Sequence, residues 1–207
     1  LELASKEEEI TRWYYLTGGT ARSEFYLQHR MSEDIDLFTE SDVNDQETDK
    51  IIHRFIKLYK ARDFNKRRIS GLFVYEIYFA DSKLKIDFNS FPYTPVEKGK
   101  FYKELRVDSF YDIAINKTYT ILGRFQTRDF IDLYFILKRE EFSLEQLIDR
   151  VKDKYNATID PIYLASQFLR VIDLPKAYPK MLVPFEFADM IEYFKNEAKK
   201  LSEKKLL

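Results

Sequence analysis

Leu16-Thr17-Gly18-Gly19-Thr20 is followed, after a spacer long enough for a short helix, by Ser32-Glu33-Asp34-Ile35-Asp36-Leu37. Successive side chains of a strand point to opposite faces, so Asp34 and Asp36 share one face while Ile35 and Leu37 anchor the other in a core. Two carboxylates side by side repel each other unless a cation sits between them. Ligands made only of oxygen suit Mg²⁺, which keeps several waters and takes phosphate oxygens to complete its octahedron. A third acid, Asp87, lies in Lys85-Ile86-Asp87-Phe88, where the apolar neighbours would face the far side of a strand. If that strand pairs beside the first, about 5 Å away, the three carboxylates converge.

Such a trio can hold two Mg²⁺ ions roughly 3.5–4 Å apart. Asp34 and Asp36 would bridge both ions, and Asp87 would ligate the ion on the side of an attacking hydroxyl and accept its proton. Gly18 and Gly19 let the backbone approach a triphosphate with no Cβ in the way, and the helix behind them offers N–H groups at its start. The Thr20 hydroxyl is placed to add a donor.

Composition narrows the alternatives. Lys and Arg number 34 and Asp and Glu 35, a net charge of −1, so a general coat for nucleic acid is not expected, although a local basic stripe could grip a phosphate backbone. The sequence has no cysteine, which removes disulfides, thiolate metal sites and thiol catalysis together. Two histidines, His29 and His53, are too few for a histidine-rich metal centre. No apolar run is long enough to span a bilayer and no secretory leader opens the chain, so the expected location is the cytoplasm. Residue 1 is Leu, which suggests a trimmed start.

Patterning predicts an α/β (α+β) fold: a mixed-sheet amino-terminal lobe over 1–105 and a helical lobe over 106–207. Helix is expected at Ser5–Tyr15 and Thr20–Gln28, and strand at Tyr14–Thr17 and Ile35–Phe38. Asp42–Asp49 reads as an acidic loop before a helix carrying Ile51, Ile52, Phe55, Ile56 and Tyr59. Leu72–Phe79 and Leu84–Phe88 read as a hairpin. Later helices are expected at Asp108–Leu122, ended by Gly123, at Arg128–Lys138, capped by Thr127, and after a Ser143 cap. Two more are expected at Pro161–Leu169 and Pro184–Lys200, each with proline in its first turn. The basic run Lys57, Lys60, Arg62, Lys66, Arg67 and Arg68 reads as a solvated helix edge or a polyanion contact, and Lys195, Lys199, Lys200, Lys204 and Lys205 read as a solvated helix face.

These motifs resemble the DNA polymerase β-like nucleotidyltransferase superfamily, whose pattern is Gly-Gly or Gly-Ser, a spacer helix, Asp-x-Asp and a distant third acid. The resemblance is closer to the AbiEii/AbiGii toxin-type branch. It rests on Leu16–Ala21, on His29-Arg30-Met31-Ser32-Glu33-Asp34-Ile35-Asp36-Leu37, on Lys117 in Ile115-Asn116-Lys117, and on Arg128-Asp129-Phe130-Ile131-Asp132-Leu133-Tyr134. It implies a nucleotidyltransferase fold and transfer of a nucleoside monophosphate from an NTP to a hydroxyl, with two Mg²⁺ ions and pyrophosphate as the leaving group. It also implies a toxin of a toxin–antitoxin or phage-defence pair, with RNA (a tRNA 3′ end among the candidates) as acceptor and a cognate antitoxin as partner. Lys117 would contact the nucleotide phosphates, and either Asp129 or Asp132 would be required for activity.

Plainer roles stand beside these. Lys117 could snorkel to solvent, and Thr20 could simply cap its helix. Arg30 and Ser32 either touch phosphate or orient the acidic strand, unless Arg30 only answers a helix dipole. Asp129 and Asp132 support catalysis or form structural ion pairs, and His29 reads as a packed or solvated ring rather than a ligand. Two further functions fit the same acids: transfer to a small-molecule or protein hydroxyl, and an NTP-binding module without turnover.

Overall fold

The computed structural model describes residues 1–204, with the side chain of Lys204 excluded, so Lys205 of the expected lysine face lies outside the described residues. The chain divides into two compact units, one of residues 1–26 and 32–110 and the other of residues 27–31 and 111–207.

The first unit is built on a seven-stranded mixed sheet. Its strands are β1 (Tyr15–Thr17), β2 (Asp34–Thr39), β3 (Asp63–Ile69), β4 (Leu72–Tyr78), β5 (Lys83–Ser90), β6 (Lys100–Tyr102) and β7 (Leu105–Val107). Their spatial order is β3-β4-β5-β2-β1-β7-β6. The pairs β5/β2 and β2/β1 put Leu16, Leu37 and Phe88 in one row on one face, where each is almost wholly buried. Phe73, Tyr75, Ile77, Ile86, Leu105 and Val107 extend that apolar face. Because the side-chain period is two, this burial fixes the register and forces the alternate residues onto the opposite face.

Helices α1 (Glu8–Trp13), α2 (Gly18–Arg22) and α3 (Asp45–Tyr59) belong to this unit. Helix α3 lies against the apolar face, where the Thr48 hydroxyl and the Tyr75 phenol are 2.9 Å apart. The acidic stretch expected as loop is largely helix: the Asn44 side chain accepts from the Gln46 and Glu47 N–H groups, and Asp45 and Glu47 sit in the first turn, where the helix dipole favours them. The expected spacer helix departs from α geometry. After Arg22 it widens into a π turn over Ser23–Leu27, and Gln28 ends it at φ +48°.

The second unit contains α4 (Phe110–Gly123), α5 (Thr127–Lys138), α6 (Leu144–Tyr155), α7 (Pro161–Leu169) and α8 (Phe187–Lys204), the first of which begins one residue before the division. Met190, Phe194, Ala198 and Leu201 form the buried stripe of α8, and the Phe194 ring meets Phe168 of α7 at 4.9 Å and Phe130 of α5 at 5.3 Å. Ser143 caps α6 in a full capping box with Gln146, and Pro161 opens α7 behind the Asp160 cap. Two expectations fail here. Thr127 is inside α5, behind the Gln126 cap, because its hydroxyl donates to the Pro175 carbonyl (2.8 Å). Pro184 precedes α8, which starts only at Phe187. Among the described residues no helix is long and apolar enough to cross a membrane.

Candidate active site

The face of the sheet opposite the core carries the acids. In the parallel pair β2/β5, Asp36 stands opposite Asp87 and Asp34 opposite Lys85. In the antiparallel pair β1/β2, Thr17 stands opposite Asp36. Thr17, Asp36 and Asp87 therefore form one row, with Asp34 and Lys85 beside it. The three acids of the sequence pattern share one face on neighbouring strands.

Gly18 is shaped to this row. Its φ is +69°, a conformation that L residues with a Cβ rarely adopt, and a Cβ there would lie 2.8 Å from Asp36 Cγ and closer still to Oδ2. The Gly19 N–H donates to Asp36 Oδ2 (3.2 Å), so this donor at the helix start is already directed at a carboxylate. The Thr20 hydroxyl is within bonding distance of the Asp34 carbonyl and of Ser32 Oγ (3.2 Å), fastening α2 to the start of β2. On the far side of Thr17, its hydroxyl donates to Asp108 Oδ2 (2.7 Å).

Charge at the site is out of balance. Burial first, and then the charge of Asp87, push the Asp36 carboxyl up to about 6. Burial also raises Asp87, against the pull of Lys85. Asp87 Oδ1 is buried and accepts no hydrogen bond. The nearest cation is Lys85, whose Nζ lies 2.6 Å from Asp87 Oδ2 and 3.3 Å from Asp34 Oδ2. Among the described residues no three His, Asp or Glu side chains already stand in metal-ligating positions. The donor set nevertheless fits a hard divalent cation: the ligands are carboxylate oxygens, one has no partner, and the ionised form of the site is disfavoured without added positive charge.

A second cluster lies within the helical unit. Asp129 and Asp132 are one turn apart on α5, both wholly buried. Lys117 Nζ of α4 is 2.6 Å from Asp129 Oδ1 and 3.2 Å from Asp132 Oδ2. Arg124 donates from Nε and Nη2 to Asp129. Burial would raise the Asp129 carboxyl, but Lys117 and Arg124 outweigh it and hold it below the ordinary range. Arg30 grips Asp132 with two bonds, from Nε (2.7 Å) and Nη2 (3.0 Å), and His29 Nε2 lies 2.9 Å from the same carboxylate. Of the two plain readings, packed or solvated, His29 takes the packed one, and it is bonded as well. Backbone bonds from Met31 N–H to the Lys180 carbonyl and from Leu182 N–H to the His29 carbonyl complete the fixing of 27–31.

Lys85, Asp108 and Thr17 are site residues that the sequence reading passed over. Lys85 carried a legible signal, because it stands two residues before Asp87 and alternation puts both on one face. Asp108 carried none, because its place depends on β7 pairing with β1.

The model described as nucleotidyl transferase AbiEii toxin, type IV TA system, matches residues 3–198. An uncharacterized protein of Aquifex aeolicus (strain VF5), aq_aa25, is 27% identical over 198 residues, covering 92% of this chain and 88% of that protein. Two crystal structures share the fold. The "putative nucleotidyltransferase from H. pylori" has a TM-score of 0.59 at 20% identity, over 98% of this chain and 92% of its own. JHP933 from Helicobacter pylori has a TM-score of 0.57 at 21% identity, over 99% and 94%.

Proposed function

The chain belongs to the AbiEii nucleotidyl transferase toxin family, and from that premise we propose that it transfers a nucleoside monophosphate from an NTP to the 3′-terminal hydroxyl of an RNA, as a toxin held in check by a cognate antitoxin. The observation that carries the reading is the register pair Asp36–Asp87 with Asp34 on the same face, set against Gly18. These three carboxylates would hold Mg²⁺. When bound, that ion supplies charge neutralisation at the leaving pyrophosphate and a lowered pKa for the attacking hydroxyl.

The chain's own groups do the rest. The Gly18–Gly19 backbone leaves room for the phosphates. Asp87 takes the proton of the acceptor hydroxyl as its oxygen bonds to the α-phosphorus. The bond from that phosphorus to the bridging oxygen breaks, and the electron pair departs with pyrophosphate. The phosphate contact that the family resemblance gives to Lys117 belongs to this proposal, as do the roles of Arg30 and Ser32 near the nucleotide. In the structure Lys117 is already held by Asp129 and Asp132, and Arg30 by Asp132, so any phosphate contact would be made from that network.

The test is incubation with labelled NTPs, Mg²⁺ and total RNA, beside Asp36→Ala. Label entering RNA only with the unaltered chain supports the reading; equal labelling by both ends it. A second acceptor class, a small-molecule or protein hydroxyl, is favoured by one observation: two members of the basic run, Lys66 and Arg67, are engaged by acids of the chain itself. Lys66 is ion-paired with Asp45 and with Asp49 (2.7 Å), and Arg67 lies 3.5 Å from Glu76. Competition between RNA and small-molecule acceptors for the label separates the two.

A further inference from the structure

We propose that Lys85 is a built-in counter-ion of the acidic site, an ammonium that a divalent cation must displace from Asp34 and Asp87 before the site is loaded. The inference rests on the reading of Asp34, Asp36 and Asp87 as metal ligands and adds a control on how they are filled.

The geometry is specific. Lys85 is opposite Asp34 in the β2/β5 register and on the same face as Asp87. Its Nζ lies against one oxygen of each, at 3.3 Å and 2.6 Å, in the space where a cation shared by these two acids would stand. A single positive charge cannot satisfy three carboxylates. Asp87 Oδ1 remains without a partner, and Asp36 Oδ2 accepts a backbone N–H from Gly19. Lys85 thus joins two of the acids without saturating them.

Lys85 can also leave. Its side chain is 26% exposed, and a four-carbon stem lets the ammonium swing out without moving the strand. Metal and lysine therefore compete for the same two carboxylates. A free divalent cation meets a site already occupied by positive charge, whereas a cation arriving with a triphosphate brings phosphate oxygens that can receive the displaced ammonium.

The test is Mn²⁺ binding to the free chain, followed by electron paramagnetic resonance, for the unaltered protein and for Lys85→Met. Removing the unit charge that competes for these two carboxylates should tighten Mn²⁺ binding by roughly tenfold or more. Equal or weaker binding by Lys85→Met overturns the inference and leaves the metal-ligand reading standing. Absence of Mn²⁺ binding by both chains overturns that reading and the inference with it. A second measurement needs no variant: amine acetylation of the unaltered chain, read residue by residue by mass spectrometry with and without saturating Mg²⁺. Release of the ammonium should raise Lys85 acetylation severalfold relative to Lys57. An unchanged ratio at saturation overturns the displacement.

Discussion

Gly18, the residue that follows β1, lies so close to Asp36 of β2 that no room is left between the glycine Cα and the carboxylate for a methyl group. The contact joins the turn of the first motif to the second aspartate of the next.

Gly18→Ala should consequently damage both stability and site. The substituted residue would have to keep φ +69° with a Cβ pressed on Asp36, or shift the carboxylate out of its row. Strain of this kind costs about 1–3 kcal/mol, read as a lower urea midpoint, and nucleotide transfer should fall with it. Gly123→Ala is the control, because an added Cβ there meets nothing within 4 Å. If both variants unfold at the same denaturant concentration, the steric account is wrong.

Asp36→Asn should abolish transfer and stabilise the fold at neutral pH. The folded-state carboxyl, pushed up to about 6, keeps its proton where an unfolded chain has lost it, near an ordinary value of about 3.9. The native state binds more protons between those values, so stability falls as pH rises from about 4 to about 6 and stays lowered above. Asparagine removes that loss and still accepts the Gly19 N–H. The expected gain is on the order of 3 kcal/mol at pH 7.5, falling to a small fraction of that near pH 4. Thermal melts at the two pH values check it, and a gain independent of pH would refute the electrostatic cause.

The site face was legible because alternation alone places Asp34, Asp36 and Asp87 against Ile35, Leu37, Ile86 and Phe88. Strand β3 was not: Asp63-Phe64-Asn65-Lys66-Arg67-Arg68-Ile69 has no apolar alternation, being an edge strand with five of its seven residues exposed, and it reads more easily as the end of a basic helix. The helix in fact stops at Tyr59, with Lys60 in the left-handed conformation at φ +52°. Three-residue strands such as β6 and β7 are too short to show a period, so the position of Asp108 beside Thr17 could not be read. Ser143 and Gln146 were readable because a capping box is local.

Ser143→Ala tests that local reading. It removes the hydroxyl that accepts the Gln146 N–H at 3.2 Å and should cost about 1 kcal/mol. Transfer activity at 25 °C should be unchanged, because the hydroxyl serves the first turn of its own helix. A loss of activity with no loss of stability would mean that α6 has a role beyond packing.

Asp132 gives the sharpest distinction between a group at the reacting atoms and one that holds the chain in place. Its carboxylate is wholly buried and surrounded by the Arg30 guanidinium, the His29 ring and the Lys117 ammonium. The two bonds from Arg30 to Asp132 fix residues 27–31 within the helical unit. Asp132→Leu takes the carboxylate from a buried guanidinium and should cost roughly 3–5 kcal/mol, and Arg30→Met should cost less, because Lys117 and His29 still meet the carboxylate. If their main work is to hold each other, the double variant will lose much less than the sum of the two, with a coupling of about 1–3 kcal/mol. Strict additivity in denaturation would show that Asp132 does not act through Arg30.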